Sequence, residues 1–373
     1  MAGGRADIVS ACDSASEPIM NPAAPCVVAF RPDGFSPNSG LEPVARELGA
    51  QNLPFSPTWS RLQQRSWALG NALRQWGIQH YGSYWNALVP WWDEARILRA
   101  LPRSARLYPV HFIWGEFASP KSVAPYHRKG ARVIVSVHCS ARRWDSVWLR
   151  PDGFAQADEV ILTSESQRPF VERHVPHERV RRIFLGVDIA FFRPPATRNP
   201  AGDKFRLLLM GNTERDHEFA AQIAAKLPTA RFEWRIRTDS HEKSHYQDIP
   251  CVTLLPRLSD EDFLKEYQQA DVLVMPMLDS AANDGILESM ACGTPVMTNR
   301  TGGSPEYVAS DCNFLMNNDR NVDEWVEKLL ELEKNREITE KMRPKTRLWA
   351  ENFDWKLIAE QYRAMYREVL ARG

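Results

Sequence analysis

The residues best placed to do chemistry lie between Asp271 and Val308, in the run DVLVMPMLDSAANDGILESMACGTPVMTNRTGGSPEYV. An apolar strand ends near Met275, a loop of small and polar residues follows (Asp279 to Asn283), and a helix is expected from Asp284 or Gly285 to Cys292. A helix start offers unpaired amides and the positive end of a dipole, which favour an anion by roughly 0.3–2 kcal/mol. Small side chains at Ser280, Ala281 and Ala282 let a phosphate approach the backbone. Glu288 follows Asp284 by four residues on the same helix face, about 5.4 Å further along the axis. A carboxylate accepts from two adjacent hydroxyls at once, so a ribose diol one turn from a helix-bound pyrophosphate suits it. An ordinary solvated glutamate fits the same spacing. Thr301 to Glu306 (TGGSPE) forms a second loop that opens a second helix.

Positioning these residues takes alternating strands and helices. Cys26–Phe30, Arg132–Val137 and Glu159–Thr163 read as buried strands in the first half. Phe205–Met210, Cys251–Leu255, Asp271–Met275 and Thr294–Thr298 do so in the second. Helical periodicity marks Leu62–Trp76, Asp216–Leu227, Asp260–Ala270 and Asp323–Leu332. This alternation implies α/β architecture with parallel sheets. Gly293 stands where a helix end needs a left-handed residue, and Pro295 begins the next strand. The reading is a loose tail over 1–25, a first domain over 26–190, a Pro/Gly-containing linker over 191–204 and a second domain over 205–350. A helical segment over 351–373 ends the chain. From Asp354 to Leu370, Trp355, Ile358, Tyr362, Met365, Tyr366 and Val369 share one face, which suits packing across both domains or on its own domain alone. Two such sheets face each other across a cleft, where open α/β folds bind ligands.

The 373 residues make room for two or three domains. Lys+Arg and Asp+Glu are equal at 47 each, which argues against nucleic acid as the main partner. No apolar run is long enough to span a bilayer, and the N-terminal segment lacks a signal-peptide core. Six cysteines without CxxC spacing, and no histidine cluster at zinc spacing, suggest reduced thiols in a cytoplasmic protein without a metal site. Nine of the 13 tryptophans precede residue 150, which suits sugar-ring stacking or plain core packing. Arg61, Arg65 and Arg74 beside Trp67 and Trp76 give a thin basis for membrane-surface association.

The run Leu287-Glu288 through Met290-Ala291-Cys292-Gly293-Thr294-Pro295-Val296, with Gly302, Gly303 and Glu306, resembles the donor-binding segment of glycosyltransferase family 4. Ala157-Asp158-Glu159-Val160-Ile161 with Ser164, then Gly186-Val187-Asp188, Phe192 and Phe353-Asp354-Trp355, extend the resemblance over most of the chain. It implies a GT-B fold, with two Rossmann-like domains around a cleft. It also implies a donor site over Asp279, Ser280, Ala281, Ala282, Asn283, Asp284, Gly285, Ile286, Leu287 and Glu288. By the same likeness Pro256-Arg257-Leu258 lie where the base is held, and His138 faces the donor sugar. Arg142, Arg143 and Trp144 line the acceptor side, and Gly34 and Ser39-Gly40 correspond to a phosphate loop lacking the usual Gly-Gly pair. Two departures stand out. The first glutamate of the family's pair is replaced by Ser280, with Asp279 and Asn283 as neighbouring substitutes. The family's Gly-Arg and Lys-Gly phosphate cations are replaced by Gly211-Asn212-Thr213-Glu214-Arg215-Asp216-His217, in which Arg215 is the only Arg or Lys. Its planar fork suits bidentate phosphate contacts.

The resemblance therefore implies a retaining transferase that moves a hexosyl-type sugar from a nucleotide diphosphate sugar to a hydroxyl of a glycan, glycoside or small molecule. The nucleotide sugar is a co-substrate, and no cofactor or metal is implied. Alternatives are another GT-B enzyme, such as a nucleotide-sugar epimerase or a sugar phosphorylase, and an inactive sugar-binding relative. A dinucleotide oxidoreductase lacks its GxGxxG after the first strand.

Overall fold

The computed structural model describes residues 26–28, 38–49, 95, 97–101, 103–116, 120–147, 152–197 and 202–372. The tail, Gly34, the expected helix Leu62–Trp76, and tryptophans 59, 67, 76, 85, 91, 92 and 148 lie outside them.

Two parallel sheets form the frame. The first runs β1 (Cys26–Val28), β2 (Tyr108–Phe112), β3 (Ala131–Val137), β4 (Glu159–Leu162), β5 (Val180–Arg182) in that spatial order. The second holds β6 (Phe205–Met210), β7 (Phe232–Arg237), β8 (Val252–Leu254), β9 (Val272–Met275), β10 (Val296–Asn299) and β11 (Phe314–Met316). Its spatial order is β11-β10-β9-β6-β7-β8. From β6 the chain winds one way to β7 and β8, and from β9 the other way to β10 and β11. The boundary between β6 and β9 is thus a switch point, and loops leaving the carboxyl ends of its two strands open a crevice.

Seven longer helices matter below: α1 (Glu42–Glu47), α2 (His217–Lys226), α3 (Asp260–Gln269), α4 (Asp284–Ala291), α5 (Val322–Lys334), α6 (Glu337–Ala350) and α7 (Trp355–Ala371). Polar side chains set several starts: Asp216, Ser259, Asn283, Asn321 and Asp354 each accept from an amide of the helix they precede. Gly293 takes φ +73° after α4 and returns its amide to the Met290 carbonyl at 2.9 Å, the expected left-handed stop.

The strands bury both faces, as parallel strands between helices must. Along β6, Phe205, Leu207 and Leu209 face one core with α2 and α5, while Leu208 and Met210 face another with α4. That second core is shared. It continues through α7 to Ile113, Ile134 and Ile161 of the first domain. The face Trp355, Ile358, Tyr362, Met365, Tyr366 and Val369 is buried as its spacing predicted, and it lies on α1 and β2. Each such large apolar side chain stabilises by about 1.5–3 kcal/mol on burial. Polar contacts fix the crossing: Tyr366 Oη lies 2.6 Å from His111 Nδ1, Arg181 pairs with Glu368 at 2.6 Å, and Arg372 pairs with Glu159 at 2.9 Å. The C-terminal helix therefore belongs to the first domain in space and follows the second in sequence. Among the described residues, no helix is long and apolar enough to cross a membrane.

Candidate functional site

Two loops leave the switch point of the second sheet. The first follows β6. Gly211 adopts φ +91°, and a Cβ there would lie 2.9 Å from Arg215 Nη2, so the open glycine face is what lets the guanidinium fold back over the strand end. Arg215 donates to the carbonyls of Met210 (3.1 Å) and Thr213 (2.6 Å) and to Asn283 Oδ1 (3.2 Å). All three acceptors are uncharged. Burial lowers the Arg215 pKa, opposed by Tyr267, Asp284, Glu288 and Glu214, and an arginine stays charged through such a shift. Behind the loop, His217 lies 2.7 Å from Tyr246 Oη and 3.1 Å from the Gly211 carbonyl, and burial lowers its pKa to about 4.

The second loop follows β9. Met277 pairs with Arg215 in an isolated antiparallel bridge, which ties the two loops together. Asn283 closes the loop as the N-cap of α4, and its Oδ1 also accepts from the Ile286 amide at 3.3 Å. Asp284 opens the helix. Burial raises its pKa, while Arg215 and His138 pull it back down. One turn on, Glu288 is buried, and its two oxygens accept from Tyr267 Oη (2.8 Å) and from Ser39 Oγ of the first domain (2.5 Å). Burial and the Asp284 carboxylate push its pKa up to about 7, against the Ser39 and Tyr267 hydrogen bonds and Arg215.

The first domain faces these loops with the carboxyl ends of its own strands. His138 follows β3, with its Nε2 2.8 Å from the Ile113 carbonyl and its ring centroid 4.9 Å from that of Trp114. Glu116 Oε1 accepts from the amides of His138 and Cys139. Several groups bind across the gap. The Arg142 amide donates to Asp279 Oδ2 at 2.8 Å, and the Arg142 and Arg143 guanidiniums pair with Glu214 at 3.1 and 3.6 Å. Glu214 itself sits at φ +60°, an uncommon conformation for a side chain of its size. Arg182 pairs with Glu306 at 2.7 Å, and Tyr307 Oη donates to the Thr163 carbonyl at 2.6 Å.

Between the walls lies a cavity of about 340 Å³. Its lining includes His138, Glu116, Trp114, Arg143, Arg215, Glu214 and the whole run from Asp279 to Asp284. Asp284 also borders a small neighbouring cleft, where Ser39 and Gly40 meet Glu288. The structure thus brings His138, Arg215, Asp284, Gly40 and Glu288 to one seam. Gly285, Ile286 and Leu287 lie buried in α4, and Ile286 and Leu287 join the shared core.

Other expected residues stand elsewhere. Trp144 is buried in the first-domain core against Phe154 and Phe170, because the one-turn helix Trp144–Val147 turns it inward. Arg142 spends its amide and guanidinium on the second domain. Pro256 and Arg257 are exposed after the edge strand β8, and Leu258 packs on the shared core; none lines the cavity. Ser280, in place of the usual carboxylate, is buried, and its carbonyl accepts from the Gly303 amide at 2.5 Å. Asp279 is held by the Arg142 and Ser280 amides. Glu116, Glu214 and Tyr267 escaped the sequence reading. Trp114-Gly115-Glu116 directly after an apolar run was the available signal for the first of them.

Residues 196–349 match the family described as Glycosyl transferases group 1. The chain is 28% identical over 117 residues to a D-inositol 3-phosphate glycosyltransferase of Saccharomonospora viridis, covering 31% of this chain and 27% of that protein. It is 30% identical over 162 residues to a sulfoquinovosyl transferase of Arabidopsis thaliana, covering 40% and 31%. These matches span about a third of the relatives' own length. Across the fold, HepE of Anabaena, solved with UDP and glucose, superposes with a TM-score of 0.65 at 14% identity, covering 92% of this chain and all of that one. A sucrose-phosphate synthase of Thermosynechococcus elongatus gives 0.64 at 14%, covering 94% and 100%. The architecture is the GT-B fold, and the match to group 1 lies in the second domain.

Proposed function

We propose that this chain, a GT-B protein whose second domain matches the group 1 glycosyl transferases, moves a hexosyl-type sugar from a nucleoside diphosphate sugar to a hydroxyl acceptor with retention at the anomeric carbon. The observation that carries the reading is Arg215: a half-buried cation at the mouth of the cavity whose three hydrogen bonds all end on uncharged oxygens. Such a charge is compensated when an anion arrives, and the amides at the start of α4 converge on the same place. A diphosphate there leaves its ribose one turn along α4, where the diol takes over the Glu288 oxygen now held by Ser39.

In this reading the bond between C1 of the sugar and the β-phosphate oxygen breaks, and its electron pair stays with the phosphate. The acceptor oxygen forms the new bond to C1 on the same face and gives its proton to the departing phosphate. Arg215 and the α4 amides meet the growing negative charge, and one well-aimed donor in a dry site is worth about 3–4 kcal/mol of barrier. His138 presents its ring to the sugar. The arginine supplies the positive charge, so turnover persists in the presence of a chelator.

The test begins with thermal shift against UDP, GDP, ADP and their sugars. Occupancy at 100-fold over Kd stabilises by about 2.7 kcal/mol. A donor that raises Tm should then release nucleoside diphosphate, with an acceptor product of unchanged anomeric configuration by NMR. Binding with no release from any donor would support the inactive sugar-binding alternative, and binding by none would end the reading.

A further inference from the structure

We propose that Glu116 is a positioning residue that fixes the tautomer and the place of His138. Three residues of the segment Ile113 to Glu116 meet this one histidine, and the fourth meets the strand end before it. The Ile113 carbonyl lies 2.8 Å from His138 Nε2. The Trp114 ring packs against the imidazole with centroids 4.9 Å apart. The Gly115 amide donates to the Ser136 carbonyl at 2.9 Å, and a Cβ on Gly115 would fall 2.5 Å from that oxygen, so the two segments meet at backbone distance. One oxygen of the buried Glu116 carboxylate accepts from the His138 amide and, at 2.5 Å, from the Cys139 amide.

The chemistry follows from what each group can give. A carbonyl oxygen only accepts, so His138 Nε2 carries a proton, and whenever the ring holds one proton Nδ1 has the lone pair. Two successive amides gathered on one oxygen set the backbone at the end of β3, and with it the ring. The imidazole then meets a ligand in the cavity as a hydrogen-bond acceptor at Nδ1. Glu116 and His138 both line that cavity. The carboxylate acts through its amide contacts. A glutamine side-chain oxygen accepts the same two amides, whereas alanine leaves them without it.

The kinetic half of the test rests on the transferase reading; the tautomer half does not. In the full-length protein labelled with 15N-histidine, with His138→Gln for assignment, His138 is expected as the Nε2–H tautomer in the wild type and in Glu116→Gln. In Glu116→Ala it is expected to exchange between both forms. In turnover assays Glu116→Ala lowers kcat by about tenfold to a hundredfold, the scale of a misplaced reacting group. Its affinity for nucleoside diphosphate stays within about twofold, and Glu116→Gln restores most of kcat. The proposal is overturned by an Nδ1–H tautomer in the wild type, by a wild-type tautomer pattern in Glu116→Ala, or by equal loss of kcat and nucleotide affinity. If no form turns over, the tautomers of the wild type and of Glu116→Ala together decide it.

Discussion

The two walls of the cavity are built on different plans. The second-domain wall is self-contained. Arg215, Asn283 and Tyr267, with their partners Met210, Thr213, Ile286 and Glu288, come from strands, loops and helices of one sheet, at its switch point. The first-domain wall closes by reaching across, with Arg142 and Arg143 on Glu214, Ser39 on Glu288 and Arg182 on Glu306. His138 is fixed from within, by residues of the 113–116 segment. A wall assembled from its own frame keeps its geometry when the domains part. A wall assembled by cross-domain pairs is lost when they do. Under the proposed function, the nucleotide end of the site is the half that keeps its geometry, and the sugar end is the half that closure would complete.

That contrast is open to test, most forcefully at Arg215. Arg215→Ala should lower kcat by roughly 10²–10³-fold. A loss below about threefold in steady-state kinetics would remove the self-contained wall from the chemistry. Next comes Glu288→Ala, expected to weaken nucleoside diphosphate binding by about 10- to 100-fold, which is about 1.5–3 kcal/mol in calorimetry. Because the Glu288 pKa is raised to about 7, ligand affinity in the wild type should climb as pH rises through that value and the carboxylate ionises. The climb should be absent in Glu288→Gln. The empty protein moves the opposite way: a carboxylate with a raised folded pKa binds its proton more tightly when folded, so its stability falls as pH rises from about 4.5 to about 7.

Buried histidines give the acid limb, one from each domain. Burial lowers His111 to about 3 and His217 to about 4. With folded values below the unfolded 6.5, their contribution is full above that pH and is lost as pH falls toward the folded values. Thermal melts from pH 7 to 4.5 should show a loss on the order of 2–3 kcal/mol from His217, abolished in His217→Gln. The smallest effect belongs to the half-exposed rim. Arg182→Ala breaks one cross-domain pair and should cost less than about 1 kcal/mol of stability. A larger shift in Tm would mean that closure rests on that pair far more than a screened ion pair allows.

The same contrast governs what was readable in the sequence. β6 was expected at Phe205–Met210 and is there to the residue, and α4, expected from Asp284 or Gly285 to Cys292 with a glycine stop, spans Asp284–Ala291 and stops at Gly293. β9 and β10 were placed within two residues at each end. β2 was missed, since Pro109 and His111 interrupt its apolar run; the histidine is accommodated only because Tyr366 and Ser136 meet its two nitrogens. β7 was missed because FEWRIR alternates apolar and charged residues, and its charges are matched by Glu266 and by Arg206. α6 was missed with Pro344 in its interior, where proline removes one backbone hydrogen bond. Residues of the site that act locally could be found from spacing. Glu214 and Tyr267 act through partners 72 and 21 positions away, and no local pattern marks such pairs.

The crossing of the last helix has a consequence for biosynthesis. The apolar surface of the first sheet around Ile134 and Ile161 is covered in part by residues 358–369. That lobe is synthesised before residues 358–369 and stays partly bare until the ribosome has delivered them. A stop codon ahead of Ile358 would therefore injure a lobe made about 200 residues earlier.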